Sequence, residues 1–469
     1  MPTSQAPIPL ARRIARFARD ANANLRGDAA VEVVVGSIVD SLACLVGATD
    51  ADPVVIARDV AQTFSAVSDS RVPCATLVGG GQTVTLEAAA FVNGLAVRYL
   101  DYNDIYLSTE AVHPSDVNSV AFALAEAFEV EGGRLVDAVA VAYEVHCRMA
   151  DAMSTRARGW DHALLNAVAS AVSAGVLLDL DEDQLTNAVA IAATGNVATM
   201  ETRVGALSMW KAAAAPYAAR AGLFAALHAA RGMTGPEGAV DGKHGLLAQI
   251  TGRTDAAAFD AALDATSGPP RLLGVHLKAY PIGYFTQPAV DAALQLRAGI
   301  EPDRVERVEV ETSAFGLLAN ADSPAKWYPG SRETADHSLP YGVAVALLDG
   351  RVGKRQFGLE RITAPDVRRL MGKISVREND AFTAAYPKRV ATRISITLAD
   401  GRSSACQVDY PRGHARNPMS RADVAAKLSD LASRTCDDVL GELWNLPLLS
   451  PPQVRDVLRR IMTLGCSKA

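Results

Sequence analysis

The stretch Lys211-Ala-Ala-Ala-Ala-Pro-Tyr-Ala-Ala-Arg220-Ala-Gly-Leu-Phe-Ala-Ala-Leu-His-Ala-Ala230 decides the fold class. Alanine carries the smallest helix cost and little bulk, so a helix is predicted over 212–231, with a small face that neighbours approach closely. Pro216 falls near its first turn, where proline is tolerated. The same composition reaches well beyond the run. Of 85 alanines in 469 residues, 65 lie in residues 1–300 and 20 in residues 301–469. The first part is therefore expected to be a close-packed helical body, and the later part to be built differently. Such a chain is not disordered, not a disulfide-stapled miniprotein and not an all-β sandwich. Its length suits two domains, each with a core of its own.

Helical patterns extend on both sides of the run. Leu10, Ile14 and Phe17 recur at i, i+4 and i+7, so the basic N-terminal stretch reads as a first helix docking on the core rather than an organellar leader. Further helices are predicted over 31–48 with Asp28 as N-cap, and over 85–101, 119–129, 135–153, 162–178 and 183–193. Short connections between so many helices imply a bundle-like assembly. The pattern changes after Gly268-Pro269-Pro270. Residues 305–312, Val-Glu-Arg-Val-Glu-Val-Glu-Thr, alternate with period two, as a half-exposed strand does. Residues 393–398 and 404–409 flank Asp400-Gly401 and read as a β-hairpin. A helix near 335–348 and a strand at 373–377 complete an α+β module. Helices over 420–433 and 452–464 are expected to return to the first body. The expected fold is thus mainly α, with an all-helical domain of residues 1–269 plus 411–469 and a smaller α+β domain of residues 270–410.

Charge and cysteine usage narrow the function classes. Forty-six Lys and Arg against 52 Asp and Glu give a net charge of −6, no field that seeks phosphates, and so no nucleic-acid partner. An anionic small molecule requires basic residues gathered locally in a pocket. The six cysteines form no CxxC pair and match neither a zinc nor an iron–sulfur run. Cys44, Cys74, Cys147, Cys406, Cys436 and Cys466 are expected to be buried small hydrophobes in a reducing, cytoplasmic setting. The longest uncharged stretches, 163–178 and 184–200, are interrupted by asparagines and fall short of the ~18–20 apolar residues of a membrane span.

The polar interruptions of the helical body carry the chemistry. Residues 101–118, Asp-Tyr-Asn-Asp-Ile-Tyr-Leu-Ser-Thr-Glu-Ala-Val-His-Pro-Ser-Asp-Val-Asn, hold four acids and a histidine between apolar helices, and are either a solvated loop or a site. Pro114 restricts His113 to extended conformations, which suits an imidazole held in one orientation. Asp161-His162 opens an apolar helix, as a capping pair or as part of a site. Lys211 heads the alanine-rich helix, where a lone lysine either has an anionic partner or snorkels to the surface. Arg203 is a weaker anion-binding candidate nearby. Lys278, in His276-Leu-Lys-Ala-Tyr-Pro, sits at the predicted domain border, where ligand clefts tend to form. Gly79-Gly80-Gly81 lacks a P-loop lysine and reads as a turn.

The run Leu100-Asp-Tyr-Asn-Asp…Glu110-Ala-Val-His113-Pro-Ser-Asp resembles the signature of the MmgE/PrpD family, in particular its 2-methylcitrate dehydratase branch. Trp160-Asp-His162, Ser208-Met-Trp-Lys211, Lys278-Ala-Tyr-Pro and Asp336-His337-Ser-Leu-Pro-Tyr341 match in the family's order and span most of the chain. The resemblance implies a large all-helical domain with a smaller α+β lid, a site between them, and a homodimer. It also implies metal-independent, cofactor-free chemistry on small polycarboxylates: dehydration of hydroxy acids such as 2-methylcitrate or citrate, decarboxylation of cis-aconitate, or epimerisation. Asp101, His113, His162, Lys211 and Lys278 fall at the family's catalytic positions, with Ser115, Asp116, Arg203 and Tyr341 assigned to substrate binding. One departure stands out. The decarboxylase branch carries a histidine shortly after the lysine-aromatic-proline element, and here that place is Gly283, which argues against decarboxylation.

Removing a proton next to a carboxylate creates an aci-carboxylate of growing negative charge. Lys211 and Lys278 are the cations expected to stabilise it. His113, expected to be oriented by Asp101, and His162 share the roles of base and acid. A non-catalytic carboxylate-binding protein that kept the fold is the reading from another class, and the retained polar set speaks against it.

Overall fold

The computed structural model describes residues 8–20, 25–69, 71–254, 256–264 and 268–464. The chain is mainly helical, and its apolar interior falls into two large clusters. The first is built from residues between Leu10 and Val275 together with Val424–Met462, and the second from residues between Ile282 and Val408.

In the first, the Ala163–Leu177 helix lies against Gly132–Ala152, Glu182–Thr194 and Trp210–Ala229. Leu86–Tyr99 packs on Trp210–Ala229 from another side. Small residues set how closely these helices approach. A Cβ placed on Gly222 would come within 2.3 Å of the Ala167 carbonyl oxygen and 2.8 Å of the Ala171 nitrogen. Backbone cannot move aside as a side chain can, so Gly222→Ala is expected to destabilise the fold by about 1–3 kcal/mol. That outcome runs against the ~1 kcal/mol that alanine gains over glycine in a free helix. A rise in the denaturant midpoint of the variant would refute the close approach.

The first helix, Leu10–Asp20, buries Leu10, Ile14 and Phe17 as their spacing requires. Asp28 is the first residue of its helix, Asp28–Gly47, and Gly27 holds the N-cap position expected for Asp28. By length and composition this 20-residue helix passes as a membrane span. Glu32 and Asp40 interrupt it, so it holds no long uncharged stretch. Its most apolar window is 78% buried in the protein, against Leu86–Tyr99 and the tail helix Arg421–Ala432. Asp40 is paired there with the buried Lys427 at 2.6 Å.

The second cluster surrounds a four-stranded sheet ordered Ile374–Glu378, Val305–Thr312, Thr392–Leu398, Ser403–Val408. The first pair is parallel, and the other two are antiparallel, with Val310 opposite Ile394 and Ile394 opposite Cys406. A register shift between Val305 and Arg307 inserts one residue, so Val305 and Val308 both face inward. Gln287–Arg297 and Leu339–Asp349 cover the sheet. Gly401, at φ 85°, closes the expected Asp-Gly hairpin. Cys44, Cys147 and Cys436 are buried, whereas Cys74 and Cys406 are only half-buried because each lies on a short edge or outer strand. Cys466 lies outside the described residues.

Candidate active site

Two segments distant in sequence are laced together at one point. Residues 101–118 leave the Leu86–Tyr99 helix, form the short pair Tyr106–Leu107 and Ala111–Val112, and end in one 3-10 turn at Pro114–Val117. Ile105 and His276 exchange both main-chain hydrogen bonds, at 2.9 and 2.8 Å. The segment carrying Lys278 therefore runs beside the one carrying Asp101. Ile105 and Leu107 meet Tyr284, Phe285 and Val390 in a small apolar cluster at this junction. The segment is not a solvated loop, since Asp101, Asp104, Glu110 and Asp116 are all buried. Glu110 is structural: its carboxylate accepts from the Thr155 and Arg156 amides and pairs with the Arg156 side chain.

Asp101 is the hub. Its φ of 51° is uncommon outside glycine but tolerated by aspartate. Lys278 Nζ donates to its Oδ2 at 3.1 Å and to its carbonyl at 2.8 Å, and Arg98 Nη1 donates to Oδ1 at 2.5 Å. Lys211 Nζ lies 3.6 Å from the same Oδ1. Burial alone would raise this carboxyl, but Lys211, Lys278 and Arg98 together outweigh it and hold it well below the usual range. Burial also lowers both lysines, Lys278 to about 8, against the opposing pull of Asp101. Lys211 Nζ further donates to Asp336 Oδ1 at 3.1 Å, an oxygen that also lies 2.6 Å from His337 Nδ1. An ammonium has three hydrogens, so both lysines keep donors for a bound anion.

The imidazoles of His113 and His162 sit with centroids 5.4 Å apart. His113 Nδ1 faces the Asp104 carbonyl at 2.5 Å, and its Nε2 faces Arg98 Nη2 at 3.1 Å. It is thus these two groups, and not Asp101, that orient His113, because the Asp101 carboxylate is taken up by the three cations. His162 Nε2 lies 3.4 Å from Arg203 Nη2 and 3.7 Å from Asp161 Oδ1. Its Nδ1 is buried without a partner among the described residues. Burial pushes His162 down to about 4, with Asp161 pulling the other way. Asp161 has two tasks: it accepts from the Ala163 amide at 2.8 Å, just ahead of the N-cap residue His162 of the Ala163–Leu177 helix, and from Arg203 Nε at 2.7 Å. Arg203 Nη1 in turn donates to the Lys211 carbonyl at 3.0 Å. A continuous set of contacts therefore joins Asp101, His113, His162, Arg203, Lys211 and Lys278.

Other expected site residues lie differently. Ser115 Oγ donates to Asp104 Oδ1 at 2.6 Å and accepts from Asn103 at 2.9 Å. Asp116 accepts from Asn103 and Asn166 at 3.1 and 3.2 Å. Both therefore brace the 101–118 segment from within instead of presenting free groups to a substrate. Tyr341 donates its hydroxyl to the Gln356 carbonyl and packs on Phe357 inside the second cluster, so its polar end is turned away from the lysines. Arg98, Asp336 and His337 were not picked out by residue chemistry. Arg98 had a usable signal: like Lys211, it is a lone cation on an apolar helix.

Comparison with known proteins bears on the family of the whole chain. The models of the MmgE/PrpD N-terminal and C-terminal domains match residues 12–258 and 280–442. The chain is 28% identical over 365 residues to 2-methylcitrate dehydratase of Salmonella typhimurium, covering 72% of this chain and 73% of that protein. It is 29% identical over 369 residues to 2-methylcitrate dehydratase of Escherichia coli K12, covering 73% of each. It is also 28% identical over 371 residues to cis-aconitate decarboxylase of Homo sapiens, covering 74% of this chain and 72% of that protein. Nearly equal identity to both activities marks common ancestry and does not separate the reactions. Both family models together span most of the chain, which therefore belongs to the MmgE/PrpD family.

Proposed function

We propose that this site dehydrates a small hydroxy polycarboxylate such as 2-methylcitrate or citrate, without a metal, as a cytoplasmic hydro-lyase. The observation that carries the reading is the meeting of two buried ammoniums with Asp101 beside two imidazoles. An imidazole takes the proton next to a substrate carboxylate, Lys211 and Lys278 stabilise the charge that builds on that carboxylate, and an acid protonates the departing hydroxide. A bound polyanion would raise the low affinity of His162 for a proton, since nearby negative charge favours the imidazolium. The α+β module acts as the lid that brings Lys278 to the helical body. Decarboxylation is disfavoured by Gly283: it offers no imidazole, and a Cβ there would meet Asn320 Nδ2 at 2.9 Å.

Incubation with 2-methylcitrate, citrate and related acids tests this reading. Ultraviolet absorbance of an unsaturated product is expected. Deuterium uptake from solvent without such a product would point to epimerisation, and neither signal with any polycarboxylate would overturn the enzymatic reading.

We also propose a homodimer. Ile56, Val60 and Phe64 are exposed on the Asp52–Phe64 helix, and Trp210 and Tyr217 on the Trp210–Ala229 helix. Ile56, Val60, Phe91, Met209 and Trp210 line an open apolar groove of about 390 Å³, a feature that scattered surface hydrophobics do not make. A second copy seated there would abut the start of the helix that carries Lys211. Sedimentation equilibrium is expected to give about twice the 49.3 kDa chain mass, and Ile56→Asp with Val60→Asp is expected to return it to the monomer. A monomeric unaltered protein would dismiss the dimer.

A further inference from the structure

We propose that Arg98 is a positioning residue that divides the work of the two imidazoles: it holds His113 as a neutral ring with both nitrogens engaged and leaves His162 to exchange the proton with substrate. The inference rests on the reading of this cluster as an acid–base site.

Arg98 leaves the last turn of the Leu86–Tyr99 helix and is buried. A guanidinium only donates, so its Nη2, 3.1 Å from His113 Nε2, requires a lone pair on that nitrogen. A carbonyl only accepts, so the Asp104 oxygen, 2.5 Å from Nδ1, requires a hydrogen there. Only the neutral tautomer with hydrogen on Nδ1 meets both demands. Protonating His113 would turn a second N–H against the guanidinium. Arg98, Lys278 and His162 face the ring and disfavour its charged form, as burial does most strongly, and Asp101 opposes them. That carboxylate is already shared among three cations. Asp104 turns its carboxylate to Ser115, not to the imidazole.

His162 also has a guanidinium at Nε2, Arg203 at 3.4 Å and looser than Arg98 on His113, and it differs at its other nitrogen. Its Nδ1 is buried and, among the described residues, unpartnered, and a buried ring nitrogen calls for a partner that substrate can supply. Asp161 Oδ1, 3.7 Å from Nε2, offers a counter-charge once the ring gains a proton. Arg203 and Arg98 oppose that charge, and Glu110 adds to the support of Asp161. One guanidinium therefore keeps His113 out of proton transfer while pinning Asp101 beneath the lysines.

Nitrogen-15 resonances of the histidine rings in the full chain test the assignment directly. His113 is expected to remain neutral with hydrogen on Nδ1 between about pH 5 and 8. Hydrogen on Nε2, or ordinary titration in that range, would overturn the inference whether or not any acid is turned over. In Arg98→Met the ring is expected to begin titrating and to lose its single tautomer, with Arg98→Lys intermediate. With an active substrate, Arg98→Met is expected to lower kcat about 10²-fold, with KM little changed, and to move the acid limb of the kcat profile to higher pH. A fall in activity with tautomer and acid limb unmoved would mark Arg98 as merely structural and refute the proposal. Should Arg98→Met fail to fold, the unaltered protein and Arg98→Lys decide the question by the same resonances.

Discussion

Asp101→Asn is expected to abolish measurable turnover and to lower stability by about 3–5 kcal/mol, the cost typical of stripping one partner from a buried ion pair. The substitution keeps the shape of the side chain and removes its charge. Of the three buried cations, Lys211 would then keep Asp336 and Arg98 the more distant Asp116, while Lys278 would lose the carboxylate it pairs with. The acid side of the stability curve offers a second check. Asp101 is held below the ordinary carboxylate value when folded, so its stabilisation is present above the unfolded pKa near 4 and is lost as pH falls through the folded value. The asparagine variant should lack that part of the acid loss. Denaturant midpoints against pH for both proteins measure it, and equal stability at neutral pH would show that the three cations do not depend on Asp101.

Lys278→Met is expected to lower kcat by about 10²–10³-fold, the effect of removing one donor aimed at a developing oxyanion. Lys278→Arg should keep much of the charge while altering the fit at Asp101. Burial lowers Lys278 to about 8, so the ammonium is intact below that pH and lost above it. Turnover that needs the charge therefore falls as pH rises through about 8, and this limb should vanish in Lys278→Arg, because arginine does not deprotonate in that range. Between about 8 and the ordinary lysine value the unfolded chain binds more protons than the folded one, so this group's contribution to stability grows with pH there. A profile flat through pH 8 in the unaltered enzyme would refute the role of the ammonium.

Much of the secondary structure is legible locally. The helix periods at Leu10–Asp20 and Gly132–Ala152, the alternation of Val305–Thr312 and the Asp-Gly hairpin arise from interactions a few residues apart. Helix ends were harder to read, as Gly27 in place of Asp28 at an N-cap shows, because several nearby residues can close the same turn. The parallel pairing of Val305–Thr312 with Ile374–Glu378 was not legible, since a strand's own alternation says nothing about which edge it joins. The residues that meet in this cluster stand out in the sequence where a polar group interrupts an apolar pattern, as at Asp101, His162 and Lys211. Side-chain direction is not legible at Tyr341, whose motif position does not reveal that its hydroxyl turns to the Gln356 carbonyl.

Composition and periodicity by themselves determined that this chain builds a close-packed helical body followed by an α+β module, because helix cost, side-chain bulk and strand alternation act within a few residues. The three-dimensional fold alone decided the partners of the buried charges. Lys278 reaches Asp101, 177 residues earlier, only because Ile105 and His276 pair and the two segments run side by side. Arg98 reaches His113 only because residues 101–118 turn back beneath the end of its helix. A hydrogen bond depends on atoms meeting within about 3 Å, and for groups this far apart along the chain only tertiary packing brings them that close.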